Sequence, residues 1–549
     1  MRNGAKRKTY TAGSSSIPGG RCCSYDVRRN MSTRAGQENG VPAGIGSRVW
    51  LSRSLGLFIL FCFALGLRVY KLDQPPLDFH PTRQYRSALL ARLFYFERAP
   101  ETPAWRLEVC RKAAPPVYEP PVLERLSAVV YGVTGRERLW IPRLLSCFVW
   151  MLGGLAVLAC ARRLGGEWGG WVAVAFFWFL PFGVEASRAF MPDPLMVALL
   201  ATALWALLRL AEGGGSRWLA VAAVAAGAAT FVKPMAVFQV TFAAVALAAG
   251  WWKEGRRAEG VRLLAAVGLC LFPAAAFYLR SYTSGGAASF MAAQSFMPSL
   301  LITAGFWQGW LGQVWRVTGF LPVAAALIGT ALAGRAGPFR ILAGAWCGYL
   351  VFVAAFTYHN HTHDYYSLQL VPLVAIAAAP LIGRLAESLT VTRFWGGSLG
   401  RSVPVLLLAA GVMDAATDRY DAMRHLDFSD EIALYQKVGG LTGHSRETIL
   451  LADFYGHPLE YHGEVTGRYW PHWFDERLDS LLGKPSVPAS KRLDSLLNRR
   501  PARFFVATNM RELALQSELA THLDATYTVL DRTGRFTIWD LQPISEAER

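Results

Sequence analysis

The chain has 549 residues, of which 53% are hydrophobic, and it carries 19 tryptophans and 31 phenylalanines. So large an apolar share excludes a string of soluble domains and is typical of a polytopic membrane protein. The net charge of +17 does not indicate a nucleic-acid partner, because the basic residues are spread between apolar runs and do not share one periodic face. The eight cysteines show neither a CxxC pair nor zinc spacing, so they give no indication of function.

The first fifty residues are polar, glycine-rich and basic. They contain no apolar signal-peptide segment, so residues 1–50 are predicted to form a disordered cytoplasmic tail. Apolar runs then alternate with basic loops over residues 51–413, which predicts about eleven transmembrane helices in this region. The predicted spans are 54–67, 139–161, 168–184, 194–208, 218–232, 235–252, 263–279, 317–333, 341–358, 368–385 and 403–413.

Basic residues fix the predicted orientation. Arg162, Arg163, Arg209 and Lys253 follow alternate spans, and basic loops stay on the cytoplasmic side. The chain is therefore expected to be an integral protein of the inner, cytoplasmic membrane, with its amino end inside and residues 72–138 outside.

Residues 414–549 have a different pattern. The runs ETILLADF, ARFFVAT, TYTVL and RFTIWDL read as strands, and residues 511–523 have helical spacing, which predicts a small extracytoplasmic α/β domain. A glycine-rich phosphate loop follows none of these strands, and this argues against an ATPase or a dinucleotide enzyme.

Many charged side chains fall on the predicted outer side. Charge beside or within a membrane is costly, so such side chains are candidate functional residues. The candidates are Asp78, His80, Arg83, Glu119, Arg188, Asp193, Lys233, His359, His361, His363 and Asp364.

Each candidate has an alternative interpretation. Asp78 is either a general base for an acceptor hydroxyl or a loop carboxylate that caps the next helix. Asp193 precedes Pro194, which is typical of a helix N-cap. Glu119 is either an interfacial anchor or one member of an acid pair. Lys233 either snorkels from a helix end or holds a phosphate.

The run YHNHTHDYYSLQLVP begins at residue 358. If it is extended, His359, His361 and His363 share a face and, with Asp364, could ligate a divalent metal such as zinc. In the alternative interpretation, His363 and the tyrosines after Asp364 lie at the membrane interface and bind a lipid phosphate.

The order of these features resembles the membrane glycosyltransferases of the GT-C fold, in particular the family 39 type that includes protein O-mannosyltransferases and lipid A aminoarabinose transferases. The resemblance covers roughly residues 55–385. Its motifs are PPLDFHPTRQYRSALLAR, YEPPV, GRERLWIPRLLS, SRAFMPDPLM, TFVKPMAVF and DYYSLQLVPLVAI.

The resemblance implies a polyprenyl-phosphate-sugar donor whose lipid lies in the bilayer. It also implies one direct displacement at the anomeric carbon, with inversion, and it identifies no definite cofactor. It implies that Asp78 is the catalytic base and that Asp193 is a second acid near the reaction centre, supporting any metal. It also implies that Arg83, Lys233 and His363 bind the donor phosphate. The remaining outer-face candidates are His80, Glu119, Arg188 and Tyr365.

Two positions depart from the family pattern. Relatives usually carry an Asp-Glu pair just before an Arg-Tyr-like helix start, whereas Pro81 and Thr82 precede Arg83 here and the aspartate is displaced to Asp78. Relatives of the lipid A type place a lysine before two prolines, where this chain has Glu119. The second change removes an expected phosphate ligand.

Two other classes of function stay open. A secondary transporter would also have many spans and intramembrane charge, but it should show repeated halves. A catalytically inactive relative would bind a lipid-linked sugar without transferring it. The acceptor is open as well, among glycans, lipids and proteins.

Overall fold

The computed structural model describes residues 43–285, 295–334, 336–391, 398–481 and 483–543. The chain divides into two compact units, Met1–Ile59 and Leu60–Arg549, and the candidate site lies within the second. The predicted tail lies outside the described residues up to residue 42. The first helix, α1, spans Ala43–Val69 and begins before the predicted end of the tail at residue 50.

The fold is mostly helical, with a small sheet near the carboxyl end, as the predicted fold class requires. The helices after α1 are α2 Pro81–Phe96, α3 Ala104–Ala113, α4 Val122–Thr134, α5 Trp140–Phe179, α6 Pro181–Ser187, α7 Asp193–Ala211, α8 Ser216–Val232, α9 Ala236–Lys253, α10 Arg257–Thr283, α11 Ala304–Val317, α12 Phe320–Ala331, α13 Ala336–Ala355, α14 Thr357–Thr362, α15 Leu370–Val391, α16 Ser398–Arg424, α17 Ser429–Leu441, α18 His457–His462, α19 Trp473–Leu481, α20 Ala489–Arg499, α21 Met510–Leu515 and α22 Ser517–Thr526. Short 3₁₀ turns lie at Pro298–Ile302, Asp364–Gln369 and Asp453–Gly456.

Six helices in the described part of the chain are long and apolar enough to cross a membrane, or seven if a bent pair counts as one span. This number is smaller than the predicted eleven. One reason is that α5 counts as one helix here although the non-helical backbone at Gly165 and Gly166 divides it into two parts that match two predicted spans. Another reason is that α8 is shorter than the others. The six are Trp140–Phe179, Asp193–Ala211, Ala236–Lys253, Arg257–Thr283, Ala336–Ala355 and Asp364–Ser388.

Helix α5 is broken in its middle by two glycines. Gly165 and Gly166 have non-helical backbone angles, and φ of Gly166 is +66°. A Cβ atom on Gly165 would lie 1.9 Å from the carbonyl oxygen of Ala379 in α15. The glycine therefore allows α5 and α15 to pack in direct backbone contact, which any side chain would prevent.

Helices α11 and α12 meet at an angle of 88°. The predicted span 317–333 is realised as α12, and Gly319, with φ of 76°, makes the turn before it. Helix α11 carries three tryptophans, Trp307, Trp310 and Trp315, and tryptophan is enriched at membrane–water interfaces.

The segment between α1 and α5 packs around α2. Tyr85 and Leu89 of α2 form a buried cluster with Tyr131 of α4, and Tyr461 of α18 belongs to the same cluster. The carboxyl-terminal region thus shares a hydrophobic core with the first loop region, which fixes the two against each other.

The sheet has five strands in the order β2-β1-β3-β5-β4. Strand β1 is parallel to β2 and β3, while β5 is antiparallel to β3 and β4. Four of the strands coincide with the predicted runs, whereas β2 was not predicted, because it has only three residues. The strands are β1 Thr448–Leu451, β2 Gly467–Tyr469, β3 Phe504–Ala507, β4 Tyr527–Arg532 and β5 Thr537–Pro543.

Candidate active site

A cavity of about 630 Å³ lies where the α2–α4 region, the segment around residues 359–366 and the sheet region meet. We call the lining residues before residue 370 the floor and those after residue 449 the roof. The floor includes His80, Arg83, Arg86, Lys112, Tyr118, His359, His363, Tyr365 and Tyr366. The roof includes Leu450, Phe454, Tyr455, His457, Glu460, Tyr469, Asp475 and Leu478.

His80 joins two of the predicted segments. It precedes Pro81, the first residue of α2, and has a left-handed backbone with φ of 42°. Its Nε2 atom lies 2.6 Å from Oδ1 of Asp364, and its ring centroid lies 4.7 Å from that of Tyr365. Arg316 also contacts Asp364, at 3.4 Å. The first loop and the histidine segment, far apart in sequence, are therefore held in one place.

Arg83 forms an ion pair with Glu119 on the floor. Its Nη2 atom donates to both carboxylate oxygens, at 2.7 and 3.0 Å. Burial by itself would raise the pKa of Glu119, but the charges of Arg83 and then Lys233 lower it below its usual value. Glu119 is thus held as a carboxylate beside Arg83, and its pairing with a second acid stays a prediction.

Asp193 and Lys233 form a second ion pair, and the side chains of both are only 1% exposed. Asp193 is the first residue of α7 and makes no capping hydrogen bond, so the N-cap interpretation is wrong. The ammonium of Lys233 lies 5.0 and 5.5 Å from the ring centroids of Tyr365 and Tyr366. Lys233 is buried behind the floor and does not snorkel.

Asp78 lies outside the cavity lining, two residues before His80. Nη2 of Arg143 donates to its Oδ2 at 2.9 Å. Its Oδ1 is buried and has no hydrogen-bond partner among the described residues. The cap of α2 is His80, so Asp78 does not cap this helix.

Arg143 was not predicted as a site residue. Its side chain is 1% exposed and donates to the carbonyl oxygens of Leu72, Gln74 and Arg188 at 3.1, 2.7 and 2.9 Å. The signal that could have revealed it is an arginine just inside the apolar run WIPRLLS, where a charge is costly.

Arg188 is buried at 1% exposure but does not line the cavity. It donates to the carbonyl oxygens of Tyr70 and Lys71 at 2.8 and 3.3 Å. Its described contacts therefore support the loop that carries Asp78.

The segment that carries the histidines is helical. The predicted metal site required an extended segment, so that prediction is wrong. His361 turns back to the carbonyl oxygen of Thr357, with Nδ1 at 3.0 Å, and Asp364 pairs with His80. Across the described ranges, no three His, Cys, Asp or Glu side chains come together to hold a metal ion. His359, His361, His363 and Asp364 do not form the predicted divalent-metal site.

His359 and His363 instead form part of the cavity floor. Their ring centroids lie 5.5 Å apart, and the ring of His359 stacks on Tyr366 at 4.9 Å. Burial lowers the pKa of His359 to about 3 and that of His363 to about 4. Both imidazoles are therefore neutral near pH 7 and can donate or accept a hydrogen bond without adding charge.

The roof was not predicted from the sequence. Asp475 of α19 accepts hydrogen bonds from the hydroxyls of Tyr455 and Tyr469, at 3.2 and 2.7 Å. Phe454 and Tyr455 have φ of 55° and 60°, which is unusual for bulky residues. A turn signal in DFYGHP was visible in the sequence, but it did not indicate which side chains the turn presents.

Residues 118–277 match the family model of dolichyl-phosphate-mannose-protein mannosyltransferases. The fold is similar to that of ArnT from Cupriavidus metallidurans bound to undecaprenyl phosphate, with a TM-score of 0.56 and 17% identity over 89% of this chain and 98% of ArnT. It is also similar to the oligosaccharyltransferase AglB from Archaeoglobus fulgidus in complex with an inhibitory peptide and a dolichol-phosphate, with a TM-score of 0.51 and 12% identity over 88% of this chain and 74% of AglB. No curated protein matches the sequence significantly.

These findings confirm the resemblance to GT-C membrane glycosyltransferases of the mannosyltransferase and ArnT type. The chain has the polytopic helical fold of these proteins, and the family match and the fold together support the glycosyltransferase class.

Proposed function

We propose that this protein transfers a sugar from a polyprenyl-phosphate-sugar donor to an acceptor on the extracytoplasmic side of the membrane, with inversion at the anomeric carbon. The observation that carries the proposal is the floor of the cavity, where several cations and two neutral histidines gather beside buried carboxylates. ArnT, which has the same fold, was solved with bound undecaprenyl phosphate.

The cationic floor fits the donor phosphate. Arg83, Arg86 and Lys112 line the cavity, and Lys233 lies just behind Tyr365. Glu119 is bound through one nitrogen of Arg83, and a guanidinium carries further N–H groups that suit phosphate oxygens. His363, neutral and on the floor, completes the set. Preorganised cations stabilise the negative charge that collects on the leaving polyprenyl phosphate.

Asp78 is the proposed base. Arg143 fixes the carboxylate through one oxygen. The other oxygen is buried and has no partner in the described chain, and Asp78 does not line the cavity, so the proposed role requires the acceptor hydroxyl to reach this oxygen past His80. The acceptor oxygen attacks the anomeric carbon while its proton passes to Asp78 and the bond to the phosphate oxygen breaks. One direct displacement of this kind inverts the anomeric configuration.

Asp193 is assigned a supporting role in the same mechanism. Its carboxylate neutralises and orients Lys233 behind the floor, which keeps a cation close to the donor phosphate in a buried place. The ring of Tyr365 contacts both Lys233 and His80. Tyr365 therefore helps to position the buried lysine and the histidine that pairs with Asp364.

The direct test is release of free polyprenyl phosphate from a panel of polyprenyl-phosphate sugars. The purified full-length protein is assayed with membrane extract as the source of acceptor. We expect release by the wild type and a rate about 10²–10⁴-fold lower for Asp78→Asn, the usual range for loss of a general base. Asp73→Asn, an exposed carboxylate in the same loop, is the matched control and should retain activity.

The other outcomes separate the alternatives. Full activity of Asp78→Asn would remove Asp78 as the base while leaving the enzyme class intact. Donor binding without release by the wild type would favour an inactive binding protein. Movement of an intact donor across a sealed vesicle would favour a transporter.

A further inference from the structure

The roof has features that its structural role does not explain. Six non-glycine residues in the described part of the chain have positive φ, and three of them, His80, Phe454 and Tyr455, line this cavity. Backbone strain of this kind costs of order 1–3 kcal/mol per residue and tends to persist at functional sites. Phe454 and Tyr455 are nevertheless 39% and 45% exposed, so burial of their rings does not account for the strain.

The rings of the roof are arranged as a pair. The centroids of Tyr455 and Tyr469 lie 4.8 Å apart, and their hydroxyls both bind Asp475. The backbone N–H of His472 also donates to this carboxylate, at 2.9 Å. Two aromatic faces are thus fixed beside a carboxylate whose orientation is set by three donors.

The roof and the floor line the same cavity. Asp475 is one of the two carboxylates of the roof. Glu460, the second carboxylate of the roof, accepts hydrogen bonds from His457 and Thr466, at 2.9 and 2.8 Å. The cavity therefore has opposite charge on its two sides, with cations on the floor and carboxylates on the roof.

We infer that the roof is the acceptor subsite and that it takes a saccharide ring. This inference rests on the proposed transferase function and names the class of its acceptor. A sugar ring has an apolar C–H face that packs on tyrosine rings, while its hydroxyls donate to carboxylate oxygens. The carboxylates would also disfavour a second anionic group here, so that the phosphate of the donor is directed to the floor.

A peptide or an acyl lipid fits the roof less well. A peptide in an extended conformation is usually bound through backbone hydrogen bonds to a strand edge. The edge strand β2 contributes only Gly467 and Tyr469 to the cavity lining, and most of the other roof residues are side chains of a 3₁₀ turn and of two helices. An acyl chain would have to desolvate Asp475 and Glu460 without offering them a donor, which is unfavourable.

The test measures binding of simple acceptors without donor. The full-length protein in nanodiscs is mixed with the methyl glycosides of glucose, galactose, mannose, arabinose and N-acetylglucosamine, and saturation-transfer NMR measures their affinity. A serine-containing hexapeptide and diacylglycerol are tested in parallel. We expect at least one glycoside to bind, and we expect Asp475→Asn and Tyr455→Ala each to weaken its binding about tenfold, as loss of one good polar or aromatic contact does.

The matched controls lie on the same helix as Asp475. Asp479→Asn removes an exposed carboxylate paired with Lys484, and Phe474→Ala removes an aromatic ring that is 48% exposed and outside the cavity lining. Both should bind the glycoside as the wild type does. Tyr455→Phe, which keeps the ring and loses only the hydroxyl, tests the hydrogen bond to Asp475 if Tyr455→Ala fails to fold.

The inference is overturned if no glycoside binds, if the peptide or the diacylglycerol binds at the roof instead, or if Asp475→Asn leaves glycoside binding unchanged. These outcomes are separate from failure of the proposed function, which shows as absence of polyprenyl phosphate release. Glycoside binding that depends on Asp475 supports the saccharide subsite even when no donor in the panel is turned over.

Discussion

The floor and the roof of the cavity are built in opposite ways. On and behind the floor, charged groups are buried and matched with each other, as Lys233 is with Asp193 and Arg83 with Glu119. On the roof, the aromatic side chains are partly exposed and a strained turn holds them in place.

This difference separates two tasks. Buried and matched charges cannot rearrange cheaply, so the floor suits chemistry that needs fixed electrostatics. Exposed rings on a turn contribute little to the core, so the roof can be changed in sequence without loss of the fold. We therefore expect substitutions in the floor to reduce stability together with activity, and substitutions in the roof to alter recognition alone.

The largest effect on stability is expected at Lys233. Lys233→Met leaves Asp193 buried without its partner, which should lower the free energy of unfolding by about 3–5 kcal/mol. The double variant Asp193→Asn/Lys233→Met should recover most of this loss but no transferase activity. Thermal unfolding in nanodiscs measures the first quantity and polyprenyl phosphate release the second.

Lys253→Met, at the exposed end of α9, is the control and should unfold as the wild type does. If Lys233→Met were as stable as the wild type, the floor would not depend on this ion pair, and the contrast with the roof would fail.

Protonation of the floor histidines should give a smaller, graded effect. The pKa values of His359 and His363 are lowered by burial to about 3 and about 4, below the unfolded value of about 6.5. The unfolded chain therefore takes up protons first, and stability is lost as the pH falls below about 6.5 towards the folded values. Each histidine should contribute a slope of about 1.4 kcal/mol per pH unit.

Unfolding of the wild type and of His359→Gln between pH 7 and pH 5 measures this slope, which should be shallower in the variant. His425→Gln changes an exposed histidine and should leave the slope unchanged. An identical slope in the wild type and in His359→Gln would show that His359 is not a buried neutral group.

The smallest effect on stability is expected on the roof. Tyr455 has φ of 60°, a conformation that glycine adopts without strain. Tyr455→Gly should therefore change the free energy of unfolding by less than about 1 kcal/mol, because relief of strain offsets the lost ring contacts. Tyr461→Ala, which removes a buried ring from the cluster around α2, should cost about 3–5 kcal/mol. Equal losses in thermal unfolding would contradict the contrast between roof and core.

The sequence was sufficient for those parts of the fold that follow from local patterns. Alternating apolar runs predicted β1, β3, β4 and β5, and long apolar runs predicted membrane helices such as α7, α9 and α10. The break at Gly165 was predicted as a loop between two spans, and the non-helical backbone at Gly165 and Gly166 divides α5 at this point. The strand β2 was too short to give a periodic signal.

The candidate site was predicted only where a charge stands out against an apolar background. Asp193, Lys233 and the histidine segment were singled out for this reason, but their partners could not be read from the sequence. The pairing of Asp193 with Lys233 joins residues forty positions apart, and it replaced the N-cap that the local pattern indicated. Asp475 and Tyr455 lie in an ordinary polar region, where neither residue type is unusual, so nothing in the sequence distinguished them.

The cavity draws its floor from residues 80–118 and 359–366 and its roof from residues 450–478, and the roof is attached to a sheet in which β5, Thr537–Pro543, pairs with both β3 and β4. During synthesis, the groups proposed to bind the donor enter the membrane long before the ribosome has made the chain that closes the chamber over them. A chain released early would possess the floor but no finished roof. A chain that stops before β5 would lack the strand that pairs with both β3 and β4, so its roof would lose part of the sheet that supports it.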